Sequence, residues 1–231
     1  MHPYHVTKIV LAAALAAVAV LSARAQLAIT EVAAWSSSTG SPAADWFELT
    51  NSGASTVNIA GWKMDDNSNS FAASVALNGI TSIAAGESVI FLESNVPATV
   101  IPAFKTVWFG SNVPSGLQIG TYTGSGVGLS TTADAVNVFN VAGVLQANVS
   151  FGLSPSANPL ATFDNAARLN NATISLLSVS GTNAAFVAAG DANQIGSPGF
   201  APIPEPSTYA LILGVGAMVI AALRRKNALT V

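Results

Sequence analysis

Asp45-Trp46-Phe47-Glu48-Leu49-Thr50-Asn51 is the stretch that decides the fold. Phe47 and Leu49 fall on one side of an extended chain, Glu48 and Thr50 on the other, and that period of two is the mark of a half-buried β-strand. Working outward, the neighbouring chain repeats the pattern in short pieces. Runs rich in Val, Ile, Phe and Thr alternate with clusters of Gly, Asn, Ser and Pro. The runs predict strands over Leu27–Val32, Trp46–Thr50, Thr56–Ile59, Val75–Leu77, Ser88–Leu92, Thr106–Phe109, Ala135–Asn140, Gln146–Ser150 and Ile174–Val179. Asn140-Val141-Ala142-Gly143 reads as a hairpin turn. Helical periodicity is weak between residues 26 and 203. Many short strands at turn-punctuated spacing predict an all-β sandwich or barrel without a long helix. Strand alternation predicts a shared core of Phe47, Leu49, Ile59, one or more of Ile90, Phe91 and Leu92, and Val136 or Val138.

The two ends of the chain differ from this middle. Residues 1–25 carry Lys8, the apolar run Ile9–Leu21 and Ala23-Arg24-Ala25, the layout of a secretory signal peptide cut after Ala25. At the other end, Pro204-Glu205-Pro206 precedes the uncharged run Ala210–Leu223, and Arg224-Arg225-Lys226 follows. That run has 14 residues, roughly 21 Å as a helix, and Tyr209 and its neighbours extend the uncharged span toward a membrane core of about 30 Å. The three basic residues fit the cytoplasmic side. The expected organisation is a signal peptide at 1–25, a β-domain at 26–199, a linker at 200–208 and a hydrophobic sorting helix with its basic stop at 209–226.

The middle is chemically sparse. Both histidines, His2 and His5, lie in the leader, and the chain has no cysteine. Only Lys63, Lys105 and Arg168 oppose ten acids between 26 and 203, a net charge of −7. That charge excludes a nucleic-acid binder. The missing His and Cys exclude a Ser-His-Asp triad, a cysteine nucleophile and an ordinary zinc site. No cofactor is expected.

The candidates that remain also have ordinary structural explanations. Asp65, Asn67 and Asn69 match the first three ligand positions of a calcium loop. Ser70 then stands where glycine belongs and Ala76 where a bidentate Glu belongs, so the segment reads better as a turn. Trp62 reads as core. Trp35, Trp46 and Trp108 are candidate surface aromatics for stacking on sugar rings. Glu48 and Asn51 suit backbone hydrogen bonds at a strand end, and Gly61 a turn. Carboxylates such as Glu31, Asp45, Glu48, Glu87 and Glu93 could in principle serve glycoside hydrolysis, but their spacing in sequence pairs no two of them in a cleft. The sequons at Asn148 and Asn171 read as coincidental.

Two resemblances sharpen these expectations. Ile29-Thr30-Glu31-Val32, the Asp45–Asn51 stretch, Val57-Asn58-Ile59-Ala60-Gly61-Trp62, Ala85–Leu92, Asp134–Phe139 and Gly196-Ser197-Pro198-Gly199 resemble, in that order, a lamin-tail domain. The resemblance implies an immunoglobulin-like β-sandwich, with the longer segment 94–133 as an insertion. The tail resembles the PEP-CTERM sorting signal of Gram-negative bacteria. That implies an inner-membrane exosortase as processing partner and export to the surface, in a family linked to exopolysaccharide. The expectation is an exported, non-enzymatic surface or matrix protein, transiently anchored by its tail. The competing expectation is an exported carboxylate-dependent hydrolase of matrix glycans.

Overall fold

The computed structural model describes residues 27–35, 40–201 and Gly216. Contacts divide the chain into two units, Met1–Ala201 and Pro202–Val231. The expected signal peptide, with Ala23 and Ala25, lies outside the described residues. So do Pro204, Glu205, Pro206, Arg224, Arg225 and Lys226, and all of the expected sorting helix except Gly216, which is helical. Among the described residues no helix is long and apolar enough to cross a membrane.

The strands run in chain order as β1 Leu27–Ala33, β2 Trp46–Asn51, β3 Val57–Asn58, β4 Lys63–Asp65, β5 Val75–Ala76, β6 Ser82–Ile83 and β7 Ser88–Glu93. Helix α1, Pro97–Phe109, comes next. After it come β8 Ile119–Tyr122, β9 Asp134–Phe139, β10 Leu145–Phe151, β11 Leu160–Ala161, β12 Phe163–Asp164, β13 Ala172–Ile174, β14 Phe186–Ala188 and β15 Asp191–Gly196. A first five-stranded sheet has the order β12-β1-β2-β7-β8, and a second has β13-β10-β9-β4-β5. Smaller sheets are β11-β15-β14 and β3-β6. Hairpin partners such as β9 and β10 are antiparallel, whereas β7 and β8, and β10 and β13, run parallel after longer connections.

The two large sheets face each other across one core. Ile29, Phe47, Leu49 and Phe91 from the first sheet meet Met64, Val136, Val138 and Val149 from the second, with Ile59 between loops. This is the sandwich that the lamin-tail resemblance implies, where strand spacing alone also allows a barrel, and the core residues expected from alternation are in it. The hairpin at Asn140–Gly143 is present too. Gly143 adopts φ +75° there, a conformation that few other residues reach.

Four expectations need correction. The first sheet is covered on both faces, so β2 is buried along its whole length rather than half-buried. The segment Thr106–Phe109 is the end of α1 and not a strand. Val100, Phe104 and Trp108 recur every fourth residue along α1 and pack onto the outer face of the first sheet, against Trp46, Ile90 and Leu92. This second core also takes in Trp35, so Trp35, Trp46 and Trp108 are core residues rather than surface aromatics. Trp46 meets Phe104 at 5.5 Å and Trp108 at 5.6 Å, edge to face in both cases. Finally, the run Ile174–Val179 forms a strand only at its start. Leu177 makes a single bridge to Phe163.

Candidate functional site

The sequence spacing does not pair the acids, but the fold pairs two of them. On β1 the register steps from Ile29 opposite Leu49 to Glu31 opposite Glu48, so Thr30 is the extra residue of a β-bulge. A regular strand would have faced Glu31 into the hydrophobic core, because one residue of shift exchanges the two faces. The bulge turns Glu31 onto the same face as Glu48. Both side chains are completely buried.

Hydrogen bonds enclose the pair. Thr162 Oγ1 and the Ser197 backbone N–H, at 2.7 Å, donate to Glu31 Oε1, and Ser197 Oγ donates to Oε2 at 3.2 Å. Thr30 Oγ1 donates to Glu48 Oε1, and the Gly199 N–H to Oε2, each at 2.5 Å. Thr162 also meets Ser178, and Thr50 meets both Thr30 and Ser88. Strand β15 passes directly over Glu31. A Cβ on Gly196 would stand 2.5 Å from Glu31 Oε1 and 2.9 Å from Trp108 Cη2, so the position accepts only glycine without rearrangement.

Burial disfavours the charged form of both acids. It raises Glu31 well above the ordinary carboxylate range, and the neighbouring Glu48 charge raises it further. Burial also raises Glu48, to about 7, against the opposing pull of the Thr30, Gly199 and Thr50 hydrogen bonds and the Arg168 charge. The pair therefore keeps a proton into the neutral range. Chemically it resembles an acid–base dyad, but the bonds to Thr30, Thr162, Ser197 and Gly199 fill its surroundings and leave neither acid exposed to a substrate.

The calcium-like segment closes on itself. Asp65 Oδ2 accepts from Ser68 Oγ at 2.7 Å and from the Ser70 N–H at 2.6 Å, and the Ser68 N–H donates to Asp66 Oδ1. Asn69 has φ +48°. Asp134 fastens the turn to β9 by accepting from the Asn67 N–H. Among the described residues no three His, Cys, Asp or Glu side chains gather as a metal-binding group.

A second acidic neighbourhood lies beside the end of β7. Burial raises Glu93, and the Asp45 charge adds to the shift. The Tyr122 phenol is raised well above its usual value by burial first, then by the charges of Glu93, Asp45 and Asp134. Gly124 lets Glu93 approach, since a Cβ there would overlap the carboxylate.

Other sequence readings find their places in this frame. Asn51 closes its own strand end and ties it to β6: Nδ2 donates to the Ser55 and Ile83 carbonyls, and Oδ1 accepts from the Gly53 N–H. Glu48 takes the Gly199 N–H, from a loop 151 residues away, where the sequence suggests only a nearby backbone partner. Gly61 adopts φ +75°, and Trp62 is buried. Sequence reading misses Glu31 as Glu48's partner. The bulge shows in the sequence as a step in apolar spacing from Leu27 and Ile29 to Val32 and Ala34, but that step does not say what Glu31 meets across the sheet.

Comparison with known families agrees with this architecture. The model of the Lamin Tail Domain family matches residues 21–191, and that of the PEP-CTERM protein-sorting motif matches residues 202–226. A search of curated proteins finds no match for the chain.

Proposed function

Because this chain belongs to the lamin tail domain family and ends in a PEP-CTERM protein-sorting motif, we propose that it is a non-catalytic interaction module of the cell surface or extracellular matrix. The motif marks an exported, exosortase-sorted protein carrying an immunoglobulin-like domain. The non-catalytic part rests on one observation above all. The fold sets Glu31 opposite Glu48 in cross-strand register, and that pair is sealed inside the protein and tied to backbone N–H groups. A glycosidase needs such a pair open to a sugar on both sides.

In this reading residues 1–25 direct export and are removed after Ala25. Pro204-Glu205-Pro206 is the segment gripped by the exosortase, since Pro206 cannot donate a backbone hydrogen bond and biases Glu205 toward extended chain. The run 209–223 anchors the protein in the inner membrane until cleavage, with Arg224, Arg225 and Lys226 on the cytoplasmic side. The segment Asp65–Asn69 is a turn, and the domain requires no metal or cofactor. Its partners are surface polysaccharides or proteins, not nucleic acid, in keeping with the net charge of −7 over residues 26–203.

The test follows Glu205→Ala beside Glu48→Gln in a host that has the sorting enzyme. Glu205→Ala leaves unprocessed protein in the inner membrane, and Glu48→Gln is processed normally. Mass spectra of exported wild-type protein that retain the tail through Val231 refute cleavage-dependent sorting.

A further inference from the structure

The outer face of the second sheet carries a patterned polar surface. Along β9, Val136 and Val138 enter the core, which leaves Ala135 and Asn137 on the opposite face, Asn137 itself covered there by the 66–69 turn. Along β10, Val149 and Phe151 enter the core, which leaves Asn148 and Ser150 outside. Antiparallel register sets Asn137 opposite Asn148 and Ala135 opposite Ser150. Parallel register sets Ser150 opposite Thr173, so Asn171 stands beside Asn148. Two rows therefore cross three strands, one of asparagines and one of small or hydroxyl side chains. Neighbouring strands repeat at about 4.8 Å, and the polar groups recur at that interval.

The turn at residues 66–69 forms a wall beside these rows, with Asn67 and Asn69 exposed. It is held in place from β9, where the Asn137 amide donates to the Asp66 carbonyl at 2.6 Å. Ala135 is too small to fill the angle between wall and sheet. The result is a depression of about 330 Å³ whose lining includes no charged and no aromatic side chain.

We propose that this depression binds a neutral polysaccharide chain. The inference rests on the surface-protein reading above and names the ligand class for it. The exposed Asn67, Asn69 and Asn171 amides each offer an acceptor and donors, half-buried Asn148 offers its amide donors, and the Ser150 and Thr173 hydroxyls offer both roles. Adjacent sugar hydroxyls, which also donate and accept, are the complementary chemistry. An anionic chain meets no counter-charge in the lining and a net charge of −7 over residues 26–203. An apolar ligand strands the amides without partners. Several groups are already fixed: Asn148 Oδ1 accepts from the Asn171 N–H at 3.1 Å, and the Ser150 and Thr173 hydroxyls meet at 2.8 Å. Fixed groups lose little freedom when a ligand arrives.

Calorimetric titration of the detergent-purified full-length protein tests this, with maltohexaose, cellohexaose, laminarihexaose and an oligogalacturonate as ligands. The expected result is saturable binding of at least one neutral hexasaccharide and none of the oligogalacturonate. Ala135→Leu fills the depression and weakens binding at least tenfold, and Thr173→Val weakens it about threefold to fivefold. Asn112→Ala, outside the depression, changes nothing. Circular dichroism shows that the variants keep the β-fold. The proposal is overturned if no neutral ligand binds up to about 10 mM, if Ala135→Leu binds like wild type, or if the anionic chain binds more tightly. If the wild type fails these tests but still reaches the cell surface, the site is wrong and the surface reading stands. A wild-type protein that binds the sugar but never leaves the inner membrane refutes the surface reading instead.

Discussion

Raising the pH from 5 to 8 should destabilise this domain, and the effect should trace to Glu48 and Glu31. Both histidines lie at positions 2 and 5 and cysteine is absent, so raised carboxyls dominate titration in this window. Glu48 has a folded pKa of about 7, against 4.5 as its reference value. A raised folded pKa means that the unfolded chain releases the proton first. The stabilisation by the protonated form is complete below the unfolded pKa and is lost as pH rises through the folded one. The whole difference corresponds to about 3 kcal/mol, most of which falls between pH 5 and 8. Glu31 shifts in the same direction and deepens the loss. For a domain of this size that is a fall in Tm of roughly 5–10 °C.

The assay is urea unfolding at several pH values, followed by tryptophan fluorescence, because Trp35, Trp46, Trp62 and Trp108 are all buried. Glu48→Gln reduces the slope of stability against pH, since the amide cannot ionise. The Glu31→Gln, Glu48→Gln double variant nearly flattens it, leaving the smaller contribution of half-buried Glu93. A wild-type protein at least as stable at pH 8 as at pH 5 refutes the reasoning. It would mean that the Arg168 charge and the hydrogen bonds outweigh burial.

Gly196→Ala places a methyl group 2.5 Å from Glu31 Oε1 and 2.9 Å from a Trp108 ring carbon. It should cost about 1–3 kcal/mol in chemical denaturation, and an unchanged midpoint removes the close approach of β15 from the argument. Trp46→Ala should cost about 3–5 kcal/mol, because the ring is fully buried between α1 and the first sheet. A loss below about 1 kcal/mol means that α1 does not cover that face. Thermal unfolding in excess chelator and in excess calcium should agree within about 2 °C, and a large rise with calcium overturns the turn reading of Asp65–Asn69.

How much was legible depended on whether a residue's surroundings repeat along the chain. Strands β2, β9 and β10 alternate, so inward residues such as Phe47, Leu49 and Val138 are legible there, whereas the continuous apolar run Val89–Leu92 of β7 leaves open which of Ile90, Phe91 and Leu92 turns toward the shared core. The Asn140–Gly143 turn carries its own chemistry. Helix α1 does not announce itself: it is apolar almost all round, and Pro102 sits in its interior. Its last residues, Thr106, Val107, Trp108 and Phe109, favour strands by composition, and only packing on the first sheet makes them helical. The same packing explains Trp46, whose partners Phe104 and Trp108 lie more than fifty residues along the chain. Two-residue strands such as β11 and β12 are too short for any period to be visible.

The buried pair was illegible for a related reason, and its placement explains how the domain closes. Glu31 is on the first strand, only six residues beyond the expected signal-peptide boundary. Ser197 and Gly199 follow the last strand, just before the segment matched by the sorting motif. The sandwich thus fixes its two ends to each other through side-chain oxygens that accept backbone N–H groups, where β1 and the 197–199 turn share no strand pairing. A neutral side chain could accept the same bonds, as Gln194 and Asn165 show elsewhere in this fold that amides can be buried here. What the carboxyls add is a proton. With it, the two acids can sit opposite each other without repulsion; without it, repulsion and burial both oppose the closed arrangement. The contact that joins the first strand to the chain's exit is therefore tightest in mildly acidic surroundings and weakens toward alkaline ones, where an Asn or Gln in the same place would be indifferent.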